Sequence, residues 1–374
     1  MPNVLVMLQT NSNQPFIFSS PRLREQIGAS FEITLLSRWV QEAAFDLKLP
    51  SVTTDEKGKK VLPSSFWVSD SSGKVIVRFT QRDCTENNDS PESLARQLIR
   101  KVTLRALTDA PGLDVTGVFI ETSSDTVDAE DLSELDRAFA EYSLSRRPAS
   151  ARFPQFPYLI RGDESALPAS QSLSDMDVKR IREYATQLEV PLLPDDEDQI
   201  PTQTGKDRDR SLSLPSRVKR AWSRSARRLQ LKEVIERQGS TLSDEEVRKR
   251  ITNLNEDPFQ LERAFQDVSD EDGTMNTLPD LSSVGVIHID GNGVGAIMRD
   301  LGRAFDIVDA RLDSLKDEAY ERRDNPCSID DDRFQWFVME VNYRLDGVVN
   351  QSVAKAWEAV ETLAINNGRT IPPV

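Results

Sequence analysis

The sequence predicts an α+β protein: a ferredoxin-like unit, a loop-rich and helical middle region, and a third segment that opens as another strand-loop-helix unit. Three observations predict it. Residues 1–150 read as strand, helix, strand, strand, helix, strand, helix. A buried strand, a glycine loop and a helix then recur at 283–315. Between them, prolines and acidic runs crowd the chain. The division expected from this is 1–150, 151–280 and 281–374.

The first unit opens with the apolar strand Val4 to Leu8 and a polar stretch. PRLREQIGASFEITLLSRWVQEAAF at 21–45 follows, where Ile27, Phe31, Leu35 and Val40 with Trp39 keep helical spacing. A polar turn precedes FWVSDSSGKVIVRFT at 66–80, two short strands across a Ser-Ser-Gly turn. The helix at 91–107 has Ser90 as its cap, Pro91 as its first residue and Leu94, Leu98, Val102 and Leu107 on one face. A strand at 113–122 and a helix at 131–147 complete the unit.

The middle holds Pro154, Pro157, Pro168, Pro191, Pro194, Pro201 and Pro215 with an acidic run at 195–198, and reads as loop-rich connection. From Lys206 to Arg237 there are eleven Lys/Arg and four Asp/Glu, a local +7. VKRAWSRSARRLQLKEVIERQ therefore predicts a helix with a basic face. Arg217, Arg220, Arg224, Arg227 and Arg228 are its candidates for contact with RNA or a partner protein. The plainer reading is a solvated face, or one turned toward the chain's own acidic loops.

The chain has 374 residues, with 47 Lys+Arg against 62 Asp+Glu, a formal charge of −15, one His and two Cys. Cys84 and Cys327 cannot make a disulfide scaffold, and with His288 alone no His-rich zinc site or His–Asp metal nuclease can be assembled. The N-terminus lacks the pattern of a signal peptide, and no apolar run reaches the ~18 residues of a membrane span, so a cytoplasmic protein without membrane contact is expected. The acidic balance disfavours nucleic-acid binding over the whole surface but leaves room for a basic patch.

The segment 283–315 carries the chemistry. Val284, Val286, Ile287 and Ile289 form a strand ending on Asp290; Gly291, Asn292, Gly293 and Gly295 form a tight loop; the next helix puts Ile297, Leu301, Phe305, Val308 and Leu312 on one face. Alternate glycines let backbone N–H groups approach an anion at a helix N-terminus, so this loop is the candidate nucleotide site. Asp290 beside it suits Mg²⁺ or Mn²⁺, which takes one or two protein carboxylates plus phosphate oxygens and water. A cap-and-turn reading of the same residues stands beside this one.

Gly291, Gly293 and Ala296 also satisfy the looser dinucleotide fingerprint. Asp290 would repel a pyrophosphate, however, and no second strand follows to carry a ribose-binding acid, so an oxidoreductase is a remote alternative. His288 suits packing on a sheet face better than catalysis. A long helix is expected between 328 and 366, with a core stripe of Phe334, Val338, Val341, Leu345, Val349, Val353, Trp357 and Val360, stopped by Asn367-Gly368.

Together these segments resemble the twin-palm large subunit of type III CRISPR effector complexes, the cyclic-oligoadenylate synthases, and their shorter stand-alone relatives. IFSSPRLREQIGASFEITLL at 17–36 is similar to the family's first-palm signature, and SSGKVIVRF and TDAPGLDVTGVF to its next strands. FPQFPYLIRGDESALPAS at 153–170 resembles its zinc-ribbon segment, with Arg161 where a cysteine is expected and no Cys between 85 and 326. SRVKRAWSRSARRLQ resembles the helix that follows, and VGVIHIDGNGVGAIMRDL the first catalytic strand and loop of the second palm.

The resemblance implies nucleotidyl-cyclase (GGDEF-like) palms and Mg²⁺-dependent nucleotidyl transfer from ATP to oligoadenylate signals in antiviral defence. In that chemistry the 3′-hydroxyl of one ATP attacks the α-phosphate of another. Asp290 would be the first metal ligand; the partners implied are nucleotide, RNA and other subunits of a defence complex. The family's Gly-Gly-Asp-Asp hairpin has no counterpart here, because the Gly-Asp-Glu at 162–164 precedes the Asp290 strand and has one glycine. The expectation is therefore a second palm shortened, completed by another chain or inactive, with no catalytic residue assigned and a non-catalytic nucleotide- or RNA-binding scaffold as the alternative.

Overall fold

The computed structural model describes residues 2–54, 58, 60–84, 90–145, 149–153, 156–193, 202, 205–238, 243–256, 300–315 and 332–366. Its main sheet has four antiparallel strands: β1 (Asn3–Asn11), β4 (Trp67–Ser71), β5 (Lys74–Phe79) and β6 (Asp114–Thr122), in the spatial order β4-β5-β1-β6. A short pair, β2 (Thr53–Thr54) and β3 (Lys60–Val61), stands apart. The fold is α+β, as expected.

The unbroken apolar run at the start of β1 follows from its central place, with helices over both faces. Val4, Val6 and Leu8 of β1, with Val75, Val77 and Phe79 of β5, enter one core; Leu5, Met7 and Ile76 enter the other. The first face is covered by α3 (Leu36–Asp46) through Trp39 and Val40, and by α4 (Pro91–Asp109) through Leu94, Leu98 and Val102. Ser90 caps α4 as expected, its hydroxyl accepting from the Ser93 N–H at 3.1 Å, with Pro91 in the first turn. The strands at 66–80 close over Gly73, whose φ of 80° is left-handed and whose added Cβ would meet the Thr10 hydroxyl at 2.7 Å.

The helix expected over 21–45 is divided. After α1 (Asn13–Ile17), α2 (Leu23–Thr34) ends at Leu35 and α3 begins at Leu36. Thr34 Oγ1 donates back to the Phe31 carbonyl at 2.7 Å, and the Leu35 N–H reaches the Glu32 carbonyl, tightening the last turn. The described part of the middle region holds the expected basic helix as α8 (Leu214–Gln238), and beside it α6 (Asp175–Gln187), α7 (Gly205–Asp209) and α9 (Asp244–Glu256), where its prolines suggest loop.

The second face is covered by α5 (Ala129–Ser145), by α10 (Leu301–Val308) and by the start of α11 (Arg333–Asn366). Asp332 seats α11. Its carboxylate accepts the Gln335 N–H at 2.9 Å and the Val127 N–H at 2.8 Å, and pairs with buried Arg78 of β5 at 3.3 Å. Gln335 Nε2 donates to the Trp67 carbonyl at 2.7 Å and Asn342 Nδ2 to the Ser69 hydroxyl at 2.8 Å, so the helix is keyed to β4 by hydrogen bonds as well as by Phe334 and Phe337. The described parts of 300–366 thus pack on the sheet of the N-terminal unit, and no second four-stranded sheet occurs among the described residues. The expected core stripe holds for Phe334, Val338 and Val341, but Val349 is exposed, and the side chains of Val353, Trp357 and Val360 lie outside the described residues.

Candidate functional site

Asp290, Gly291, Asn292, Gly293 and Gly295 lie outside the described residues, as does His288. Just downstream, α10 is tightly anchored. Leu301 and Leu312 are buried, and Phe305 meets Phe334 edge to face at 5.3 Å and Phe337 at 5.5 Å, so the expected apolar face forms from Leu301 onward, Ile297 lying outside the described residues. Gly302 packs against α5: a Cβ there would come within 2.6 Å of the Ala129 methyl. Among the described residues no cluster of His, Cys, Asp or Glu could hold a metal ion, and no helix is long and apolar enough to cross a membrane.

The densest chemistry in the described residues lies where α2 crosses α8. The backbones nearly touch at Gly28, where an added Cβ would sit 1.9 Å from the Lys219 carbonyl oxygen. That closeness buries the α2 face bearing Glu25, Gly28, Ala29 and Glu32. It is not the apolar face that the spacing of Ile27 and Phe31 suggests; those two are only half-buried. Arg220 of α8 donates to Glu25 at 2.7 Å and to Asp207 of α7 at 2.9 Å, and lies 3.4 Å from Glu164. Arg24 joins Asp207 at 2.7 Å, while Arg22 and Arg210 both bond Glu164.

The electrostatics follow from this geometry. Burial pushes the Glu164 carboxyl up, but the hydrogen bond from Arg22 and the charges of Arg210, Arg220 and Arg22 outweigh it and hold the group below the ordinary carboxylate value. For Arg220 burial works downward, and the charge and hydrogen bond of Glu25 with the bond to Asp207 more than restore it. Lys219, buried under the crossing, is lowered by burial; its ammonium donates to the Phe16 carbonyl at 2.7 Å and the Ser19 hydroxyl at 2.8 Å, and sits over the Phe16 ring. Glu32 is fully buried with neither carboxylate oxygen hydrogen-bonded, so burial raises it well above the ordinary range, opposed by Lys219 and aided by Asp109.

This corrects the expected basic face. Arg217, Arg220 and Arg228 are buried. Arg217 spends its donors on the carbonyls of Asp207, Ser170 and Arg210, and Arg228 reaches the Pro191 carbonyl at 3.1 Å. Arg224 and Arg227 are half-buried and also engaged. At Arg217, Arg220 and Arg228 it is the chain's own carboxylates and carbonyls that take up the cations of the +7 helix. Glu164 of the Gly-Asp-Glu segment is an ion-pair anchor, and Glu25, Asp207 and Glu164 each pair with Arg220.

Two helices went unread in the sequence although their caps are visible in it. Ser174 and Asp177 form a capping box at the start of α6, and Ser243 and Glu246 exchange the same pair of bonds before α9. Glu25 could have been found by matching the acids at seven-residue spacing in α2, Glu25 and Glu32, to the basic residues Arg220 and Lys219 of α8; Asp207, on the separate short helix α7, carries no such signal.

No protein-family model matches the sequence, and no curated protein matches it. Among solved structures, a type III-B Cmr-beta complex in its apo state matches at 12% identity and a TM-score of 0.31, covering 72% of this chain. The same complex bound to cognate target RNA gives the same values. The chain spans 38% of the length of those chains, and a TM-score of 0.31 is too low to transfer fold or function.

Proposed function

We propose that this chain is a nucleotide-binding, palm-type protein of prokaryotic antiviral defence, taking ATP with Mg²⁺ at the loop Asp290 to Gly295. The observation that carries the reading is the sequence VGVIHIDGNGVGAIMRDL itself, whose apolar run, Asp290 and alternate glycines are the residue types that a metal–phosphate site after a strand needs. The first unit is consistent with a palm: its element order, strand, helix, strand, strand, helix, strand, produces an antiparallel sheet ordered β4-β5-β1-β6, the split arrangement of ferredoxin-like units.

In this reading Asp290 supplies one carboxylate to the metal, and backbone N–H groups of Gly291, Gly293 and Gly295 face the phosphates. A single carboxylate leaves most of the coordination to water and phosphate oxygens, so the reading is one of nucleotide binding, with no catalytic residue assigned for turnover to oligoadenylate. The partners proposed are other subunits of a defence complex, with RNA contact through surfaces other than buried Arg217, Arg220 and Arg228. Titration of ATP with and without Mg²⁺ tests the reading, with Asp290→Ala as the control: metal-dependent binding lost in the variant supports it, and binding indifferent to Asp290 refutes it.

A further inference from the structure

The segment 156–161 exposes apolar surface on a rigid support. Phe156 and Tyr158 stack with ring centroids 5.5 Å apart and planes 5° from parallel. Yet they are 53% and 79% exposed, and Ile160 beyond them is 75% exposed. The hairpin that follows is held from beneath. The Gly162 N–H donates to the Leu167 carbonyl at 2.9 Å and the Asp163 N–H to the Ser211 carbonyl at 2.7 Å, while Glu164 is fixed by Arg22, Arg210 and Arg220. Three large apolar side chains leading into a hydrogen-bonded hairpin are the composition of an interface centre.

We propose that this surface is the self-association site of the chain, a second copy docking on it about a two-fold axis. Charge selects that occupant. Arg161 is exposed and makes no ion pair among the described residues; Asp163, two residues on, is 46% exposed and lies 3.8 Å from Arg210 of its own chain. A two-fold axis brings the Arg161 of each copy toward the Asp163 of the other, the reciprocal pattern such symmetry requires. A nucleic-acid strand fits less well, because Ile160 offers no ring to a base and one unpaired arginine is a poor counter-charge to a run of phosphates.

The patch offers roughly 400 Å² per copy, about half of what a standard interface buries on each side. The association is therefore weak and is sought at protein concentrations on the order of 10–100 µM. Sedimentation velocity of the full chain across that concentration range tests it. A reversible monomer–dimer equilibrium is expected, weakened at least tenfold by Tyr158→Ser with Ile160→Ser and unchanged by Leu144→Ser, a fully exposed apolar position elsewhere. Arg161→Asp alone weakens it, and adding Asp163→Arg restores it. A chain that stays monomeric throughout, a dimer indifferent to Tyr158 and Ile160, or a tyrosine signal that responds to single-stranded RNA instead of to protein concentration overturns the proposal.

Discussion

Replacing Glu32 by Gln removes a titrating group from the α2–α8 crossing while keeping its shape. Glu32 is fully buried and neither oxygen has a hydrogen-bond donor, while the charged groups facing it are Lys219 of α8 and Asp109 of α4. Its folded pKa lies above the unfolded one. The favourable contribution of the protonated form is therefore complete below about pH 4.5 and is lost as pH rises through the folded value. At pH 8 the wild type bears either the cost of keeping a proton or that of an unpaired buried carboxylate; an unsatisfied buried group costs about 1–3 kcal/mol, more if charged. Glu32→Gln cannot ionise, so it should match the wild type near pH 4.5 and exceed it by about 1–3 kcal/mol at pH 8. Urea unfolding followed by tryptophan fluorescence across that range measures the difference. A variant that is less stable at pH 8, or whose difference from the wild type does not change with pH, would show that Glu32 is ionised and paired with Lys219, and the account of the crossing would fail.

Gly28→Ala should separate α2 from α8, since its methyl would meet the Lys219 carbonyl; a loss of at least about 1–3 kcal/mol in denaturant unfolding is expected, and an unchanged midpoint contradicts the close approach. Arg220→Ala leaves Glu25, Asp207 and Glu164 short of a buried cation and should cost about 3–5 kcal/mol. Because Glu164 is held below its ordinary value, its contribution is present at neutral pH and lost as pH falls through the folded pKa; in Arg220→Ala that acid loss should begin at higher pH in an unfolding titration. Asp332→Ala removes the cap of α11, a bond to Val127 and the partner of Arg78, so limited proteolysis should release the C-terminal helix from the sheet in the variant and spare it in the wild type.

Much of the first unit was legible because its signals are local. The run Val4 to Leu8 marks a central strand, Gly73 a turn needing positive φ, and Ser90-Pro91 a capped helix, and each forms where expected. What was not legible depends on distant partners. The face of α2 bearing Glu25 and Glu32 reads as solvent-facing until Arg220 and Lys219 of α8 are known to lie across it, nearly 200 residues later in the chain. The same compensation turned an apparent basic surface at Arg217 and Arg220 into an interior one. Nor does the spacing of Phe334 and Val338 say which sheet they cover; the polar bonds of Asp332, Gln335 and Asn342 to the N-terminal unit decide that. The candidate nucleotide loop was read from residue types alone, and Asp290 to Gly295 lie outside the described residues.

The central claim, that Asp290 and its glycine loop bind a metal–nucleotide complex, is tested most directly by calorimetric titration of ATP into the wild type and Asp290→Ala, each with Mg²⁺ and with EDTA. The account predicts binding by the wild type that is weakened at least tenfold by EDTA or by the substitution, with the unfolding midpoint of the free variant unchanged. Equal ATP binding by both proteins, or none by a folded wild type in Mg²⁺, would contradict it.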